Sequence, residues 1–148
     1  MDFIRKAMTG DERRIAEILV FNYRMSFYPI FRNDDFYFGE MTVDRMGQQI
    51  LDEIDTYWVY DDGVVKGFVQ IRGYEICRLF VEPVLQNQGI GTALIRFAIG
   101  EEDAKTLWAL EKNTAAIRFY RRHGFDVTIE RRKEDGTEEY LVRLERRS

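Results

Sequence analysis

Gln86 to Phe97 reads QNQGIGTALIRF, with two glycines one residue apart at the mouth of a helix-forming run. A glycine inside a helix costs about 1 kcal/mol relative to alanine, so two in the first turn imply that backbone must approach something closely. Upstream, YEICRLFVEP is a β-rich run that stops at Pro83; downstream, Ile90, Leu94, Phe97 and Ala98 form an apolar stripe at helical spacing. Followed by the strand-like TLWALEKN, this order of elements predicts a crossover between two parallel strands. A helix start presents unpaired N–H groups and a partial positive charge, which suits a phosphate. A packing reason for the glycines stays open. A P-loop needs Lys and then Ser or Thr after its last glycine, where this chain has Thr92-Ala93. A dinucleotide fingerprint needs a third glycine at Leu94 and a loop that follows the strand at once, although Glu111 mimics its ribose-binding acid.

The rest of the chain reads as one domain over residues 1–148. A short strand around Phe3 to Ala7 precedes a helix with Asp11 near its start and Ile15, Ile18 and Leu19 on one face. Thr42 is the expected N-cap of a second helix whose Val43, Met46, Ile50 and Ile54 share a face. An aromatic-rich connection joins the two. TYWVYDDG and VVKGFVQIRG form a hairpin turning at Asp62-Gly63, and DVTIERRKEDGTEEYLVRLE a terminal one turning at Asp135-Gly136. Between these hairpins, TAAIRFYRRHGF is a helix ending at Gly124. The expected class is α+β, with a mixed, mostly antiparallel sheet. The 22 basic and 26 acidic residues leave a charge of -4, which argues against a nucleic-acid partner. One cysteine and one histidine give neither an internal disulfide nor a zinc cluster. With a charged N-terminus and no apolar run near eighteen residues, neither a signal peptide nor a membrane span is expected, and a cytoplasmic location is.

The pattern Gln86-x-x-Gly89-x-Gly91, preceded by ICRLFVEP and followed by Asn113-x-x-Ala116-x-x-Phe119-Tyr120-x-x-x-Gly124-Phe125, resembles the GNAT superfamily of N-acetyltransferases. The resemblance runs from about Asp55 to Phe125 and implies the acyl-CoA N-acyltransferase fold, with helices on both faces in α/β/α layers. It also implies acetyl-coenzyme A as co-substrate, without metal, its pyrophosphate held by the loop of Gln86, Asn87, Gln88, Gly89, Ile90, Gly91 and Thr92. Gln86 stands where arginine is commoner. By the same resemblance the backbone of Leu79 and Val81 pairs with the pantetheine arm like an added strand, and an N–H near Val81 stabilises an oxyanion. Tyr120 would donate to the leaving thiolate, or else be an amphipathic core aromatic. Asn113 either caps the following helix or turns toward the cofactor.

Acetyl transfer by direct attack in a ternary complex needs a neutral amine, and a lysine-like amine has a pKa near 10.4. Glu75, fourteen residues before Gly89, is the candidate base; its alternative is solvation of a strand end. The acceptor is a primary amine of a small molecule or peptide. Phe21 to Met41 supplies Tyr23, Phe27, Tyr28 and Phe31 as candidate substrate contacts, with Phe36, Tyr37 and Phe38 beyond them. Asp34, Asp35 and Glu40 nearby would suit a cation. The same aromatics serve equally as core or as the contact of a homodimer. Cys77 reads as inert packing, His123 as a helix-end charge or carbonyl contact, and Arg118, Arg121 and Arg122 as solvated. Two other functions stay open, a coenzyme A-binding sensor without turnover and a nicotinamide-dependent enzyme.

Overall fold

The computed structural model describes residues 3–147, so Met1, Asp2 and Ser148 of the expected domain lie outside the described residues. Within that span seven strands form one sheet in the order β1-β2-β3-β4-β5-β7-β6. They are β1 (Ile4–Lys6), β2 (Tyr57–Asp61), β3 (Val65–Arg72), β4 (Glu75–Val81), β5 (Thr106–Leu110), β6 (Phe125–Lys133) and β7 (Tyr140–Arg146). Every neighbouring pair is antiparallel except β4 and β5, the parallel pair expected from the strand–loop–helix–strand run. The helices are α1 (Glu12–Ser26), α2 (Tyr28–Phe31), α3 (Val43–Asp52), α4 (Ile90–Gly100) and α5 (Thr114–Arg122).

Strand alternation divides the core in two. On one face Ile90, Leu94, Ile95 and Ala98 of α4 bury against Val69, Ile71, Ile76 and Val81. On the other, Ile15, Ile18 and Leu19 of α1 with Met46 and Ile50 of α3 cover Tyr57, Val59 and Phe68. Each such aliphatic side chain contributes about 1.5–3 kcal/mol on full burial, so the two layers hold the helices to the sheet from both sides.

Thr42 caps α3 as expected, its Oγ1 accepting from the Arg45 amide at 3.3 Å. Asp11 does not cap α1. Its carboxylate instead takes both Arg5 guanidinium nitrogens, at 2.8 and 3.0 Å, and the Met8 amide at 2.9 Å. Ile54, expected on the α3 face, falls beyond the helix in a 3-10 turn at Ile54–Thr56. The aromatic connection is helical rather than open: α2 is followed by a π-helical turn, Asp35–Glu40, in which the Met41 amide donates to the Phe36 carbonyl at 2.7 Å. Arg24 Nε donates to the Tyr37 carbonyl at 3.1 Å and ties this turn to the end of α1. The terminal hairpin is wider than a two-residue turn, because Glu134 pairs with Glu139 and Thr137 donates its hydroxyl to the Glu134 carbonyl.

Candidate functional site

The register of β4 against β3 shifts between Gln70 and Ile71: Ile71 faces Ile76, Gln70 faces Arg78, and Cys77 is left over as a β-bulge. An extra residue reverses which side chains point to which face. Strict alternation from Ile76, a member of the α4-side core, would send Arg78 and Phe80 into that same core. After the bulge it is Leu79 and Val81 that pack under α4, while Arg78 and Phe80 turn to the α1 face.

The bulge also sets the backbone. The Glu82 amide donates to the Lys66 carbonyl, so Phe80 and Arg78, two and four residues back, also direct their peptide groups to β3. Leu79 and Val81 therefore aim theirs the other way, toward β5. The β4–β5 ladder registers only Glu75 with Thr106 and Ile76 with Leu107, and beyond these the strands part. Leu79 thus has no ladder partner on that edge. The Val81 carbonyl is already occupied, accepting from Asn22 Nδ2 at 2.9 Å, so of the pair of groups expected to meet pantetheine at Val81 the N–H is the open one.

Just past this edge the chain enters the glycine loop. Gly89 is the N-cap of α4 with φ +84, a left-handed conformation that a side chain would strain, and Asn87 shares that region at φ +68. Gly91 is different. A Cβ there would sit 3.5 Å from the Phe119 ring, in ordinary contact. The first intrahelical bond runs from the Ala93 amide to the Gly89 carbonyl, so the amides through Thr92 have no acceptor within the helix. Neither an acid in the first turn nor a side-chain cap offsets that end of the helix. Gln86 turns inward: its Nε2 donates at 3.2 Å to Oδ1 of the buried Asn22, which itself donates to the Ile18 carbonyl. Where an arginine would carry charge, this chain has an amide tying the loop to α1.

The open edge borders a cleft of about 950 Å³ lined by residues of both halves of the sheet. Glu75, Leu79, Asn113 and Tyr120 all line it. Tyr120 packs edge-on to Phe119 and Phe125, and its hydroxyl has no hydrogen-bond partner among the described residues. Burial pushes its phenol well above the usual range, so it stays protonated and keeps an O–H to donate. Asn113 caps α5, accepting from the Ala116 amide at 3.2 Å while it borders the cleft. Cys77 at the bulge also lines it, half-buried; burial first of all raises its thiol pKa, in keeping with an inert cysteine. His123 rests on the Phe119 ring, and burial followed by Arg122 and Arg96 holds its imidazole below the usual pKa. A ring contact, rather than a helix-end charge, accounts for it. Arg118, Arg121 and Arg122 are exposed, as expected.

The aromatic wall is present but rearranged. Tyr23, Phe27, Phe31, Phe36 and Tyr37 line the cleft, whereas Tyr28 does not; its hydroxyl donates to Asp34 at 2.5 Å and its ring abuts Tyr37 and Phe38. Asp34, Asp35 and Glu40 are likewise absent from the lining, because the π-helical turn carries them outward to solvent. Its acids are Glu53, Glu75, Glu134 and Asp135, the last two from the tip of the β6–β7 hairpin, and its arginines are Arg72, Arg78 and Arg132. Tyr37 is pushed up to about 12, by burial and then by Tyr23 and Glu134. Sequence reasoning missed Asn22 and Arg78. Both were visible as breaks in pattern, a polar residue continuing the Ile15, Ile18, Leu19 face and a charge inside an apolar strand.

The model of the Acetyltransferase (GNAT) domain matches residues 53–127, half of the chain, from just before β2 to the start of β6. The chain belongs to the GNAT family. Two curated relatives are the peptidyl-lysine N-acetyltransferases YjaB of Salmonella typhimurium, 36% identical over 70 residues, and YiaC of Escherichia coli, 36% identical over 72. The matches cover 47% of this chain and 48% and 49% of those proteins, so the chain spans about half the length of the curated relatives it matches. In fold the likeness extends throughout. The PaiA N-acetyltransferase of Thermoplasma acidophilum, in complex with coenzyme A, superposes with a TM-score of 0.75 over 97% of this chain and 98% of that one at 18% identity. Apo YjaB from Escherichia coli gives 0.69 over 97% and 95% at 20% identity. Family membership sets the nicotinamide alternative aside.

Proposed function

We propose that the protein transfers an acetyl group from acetyl-coenzyme A to a primary amine of a small molecule or peptide, by direct attack while both are bound. One observation carries this reading: the unpaired edge of β4 leads on one side to a helix start with no side-chain cap and no first-turn acid, and on the other into a cleft holding both a carboxylate and a protonated phenol. The residues present fit the co-substrate, since free amides and a left-handed glycine suit a pyrophosphate and the Leu79–Val81 edge suits an amide-bearing arm. Acetyl-coenzyme A supplies the activated acyl group as a thioester.

This chain's own residues do the rest. Deprotonating a lysine-like amine costs about 4–5 kcal/mol at pH 7, and Glu75 takes that proton directly or through water. The Val81 N–H offers a donor to negative charge developing on the acyl oxygen. Tyr120, held protonated by its burial, donates a hydrogen bond as charge builds on the departing sulfur. The curated relatives are named for peptidyl-lysine, which makes lysine peptides the first acceptors to try. Calorimetric titration with acetyl-coenzyme A, followed by release of free coenzyme A across lysine peptides and small amines, tests the proposal. Binding with acceptor-dependent release is expected. Binding with no release for any amine would instead leave a coenzyme A sensor.

A further inference from the structure

The arginines of the cleft are not equivalent. Arg72 is ion-paired to Glu53 Oε1, whose other oxygen accepts from Gln70, so that carboxylate is fully engaged. Arg132 is exposed and lies over the Trp108 ring at 4.2 Å. Arg78 is half-buried and has no carboxylate partner among the described residues; its Nη1 donates to the Tyr57 hydroxyl at 3.1 Å, and the Tyr23 phenol is its other polar neighbour. A guanidinium carries five donors in a rigid fork, and withdrawing it from water without a counter-charge is costly. The bulge at Cys77 is what turns this cation into the cleft rather than under α4. Its fork complements a carboxylate, and its single charge balances one, whereas a phosphate dianion would be only half compensated.

We propose that Arg78 is a carboxylate subsite of the acceptor cleft, so that the preferred acceptor carries a carboxylate as well as its amine; this rests on the acetyltransfer reading above. Glu75, three residues earlier on the same strand, serves the amine, and Arg78 the acid. The carboxylate can belong to a free amino acid or to an acidic side chain beside a target lysine, and matched probes separate the two. One pair is L-lysine against L-lysinamide; the other is a short lysine peptide with a flanking glutamate against its glutamine counterpart.

Calorimetric affinity is measured for all four with coenzyme A bound, and kcat/KM with acetyl-coenzyme A, in the unaltered protein, Arg78→Gln and Arg78→Lys. In at least one pair the carboxylate member should lead by about tenfold or more. That preference should fall below about twofold in Arg78→Gln and persist in part in Arg78→Lys, which keeps the charge without the fork. Coenzyme A affinity should be equal in all three proteins, which certifies the fold. Equal affinity within both pairs, binding of no probe, or a preference that survives in Arg78→Gln overturns the proposal. Turnover of the amide members in any of those cases leaves acetyl transfer standing while the subsite falls. Failure to bind coenzyme A at all sinks the parent reading and this one with it.

Discussion

The helices on the two faces of the sheet begin in opposite ways. On the α1 face, α1 and α3 each carry an acid in the first turn, Glu12 and Asp44. Asp44 is further paired with Arg13, and the Thr42 hydroxyl closes the start of α3. On the other face neither α4 nor α5 has such an acid, and α4 lacks even a side-chain cap. An acid in the first turn offsets the partial positive charge of a helix start, and its absence leaves that charge for something else. The sheet repeats the contrast, since β3 is paired along both edges whereas β4 loses its partner after Ile76. Where the protein satisfies its own polar groups it is building a scaffold. Where it stops, it leaves the donors that the proposed ligand would use.

The sharpest way to break this division is Glu75→Gln, which should cut turnover by roughly 10²-fold or more at neutral pH while coenzyme A affinity barely moves. Because a free amine deprotonates as pH rises, part of the loss should return at pH 9. A defect of equal size at pH 7 and pH 9 would remove Glu75 from the role of base.

Asn22 tests a place where α1 reaches across to the end of β4 and the glycine loop. Replacing it with leucine leaves the Val81 carbonyl and the Gln86 amide without their partner, at a cost of about 1–3 kcal/mol. At this chain length that corresponds to roughly 2–4 °C of melting temperature per kcal/mol. Thermal denaturation within 1 °C of the unaltered protein, a threshold set on the order of half the smallest expected shift, would mean that this link carries no weight.

The two loop glycines separate conformation from contact. Gly91→Ala should keep or raise the melting temperature, its new Cβ resting at ordinary distance from Phe119 and its helix propensity improved, and lose about tenfold in coenzyme A affinity. Gly89→Ala should also lose roughly 1–2 kcal/mol of stability, because its φ is positive. Titration of Gly91→Ala with unchanged affinity would refute close approach at that position.

The smallest effect is expected for Tyr120→Phe, roughly five- to tenfold in turnover with little change in cofactor affinity, since one hydrogen bond to developing charge is lost. Its raised pKa keeps the phenol protonated through the assay range, so the alkaline side of the pH–rate profile should be the same with and without the hydroxyl. An alkaline limb that disappears in the variant would contradict a purely donating role.

The proposed cofactor half was legible in the sequence because its features are local: a strand ended by Pro83, glycines that set a turn, and, after β5, an asparagine that caps α5. The acceptor half was not, because its geometry depends on partners far along the chain. Arg78 meets Tyr57 across 21 residues of sequence, and even at the glycine loop the contact of Asn22 with Gln86, 64 residues apart, went unread. Asp11, expected only near the start of α1, is held there by Arg5 from β1. The π-helical turn owes its place to Arg24 reaching its carbonyl from α1, which no spacing within Asp35–Glu40 announces. The bulge at Cys77 is the costliest omission. A single uncounted residue decides which side of the sheet receives a guanidinium.

The short seam between β4 and β5 has a mechanical meaning. β1 to β4 form one plate and β5 to β7 another, and the strands join them at a single corner, the registered pairs at Glu75 and Ile76. Beneath that seam one apolar core, with α4 against Val69 and Val81 on one side and Leu107, Phe125 and Leu144 on the other, holds the two together, so the gap between Leu79 and the diverging β5 is a notch in a shared scaffold. A molecule lying in that gap as an extra strand would brace one plate against the other. Amide exchange in β4 and β5 should therefore slow together when the gap is filled.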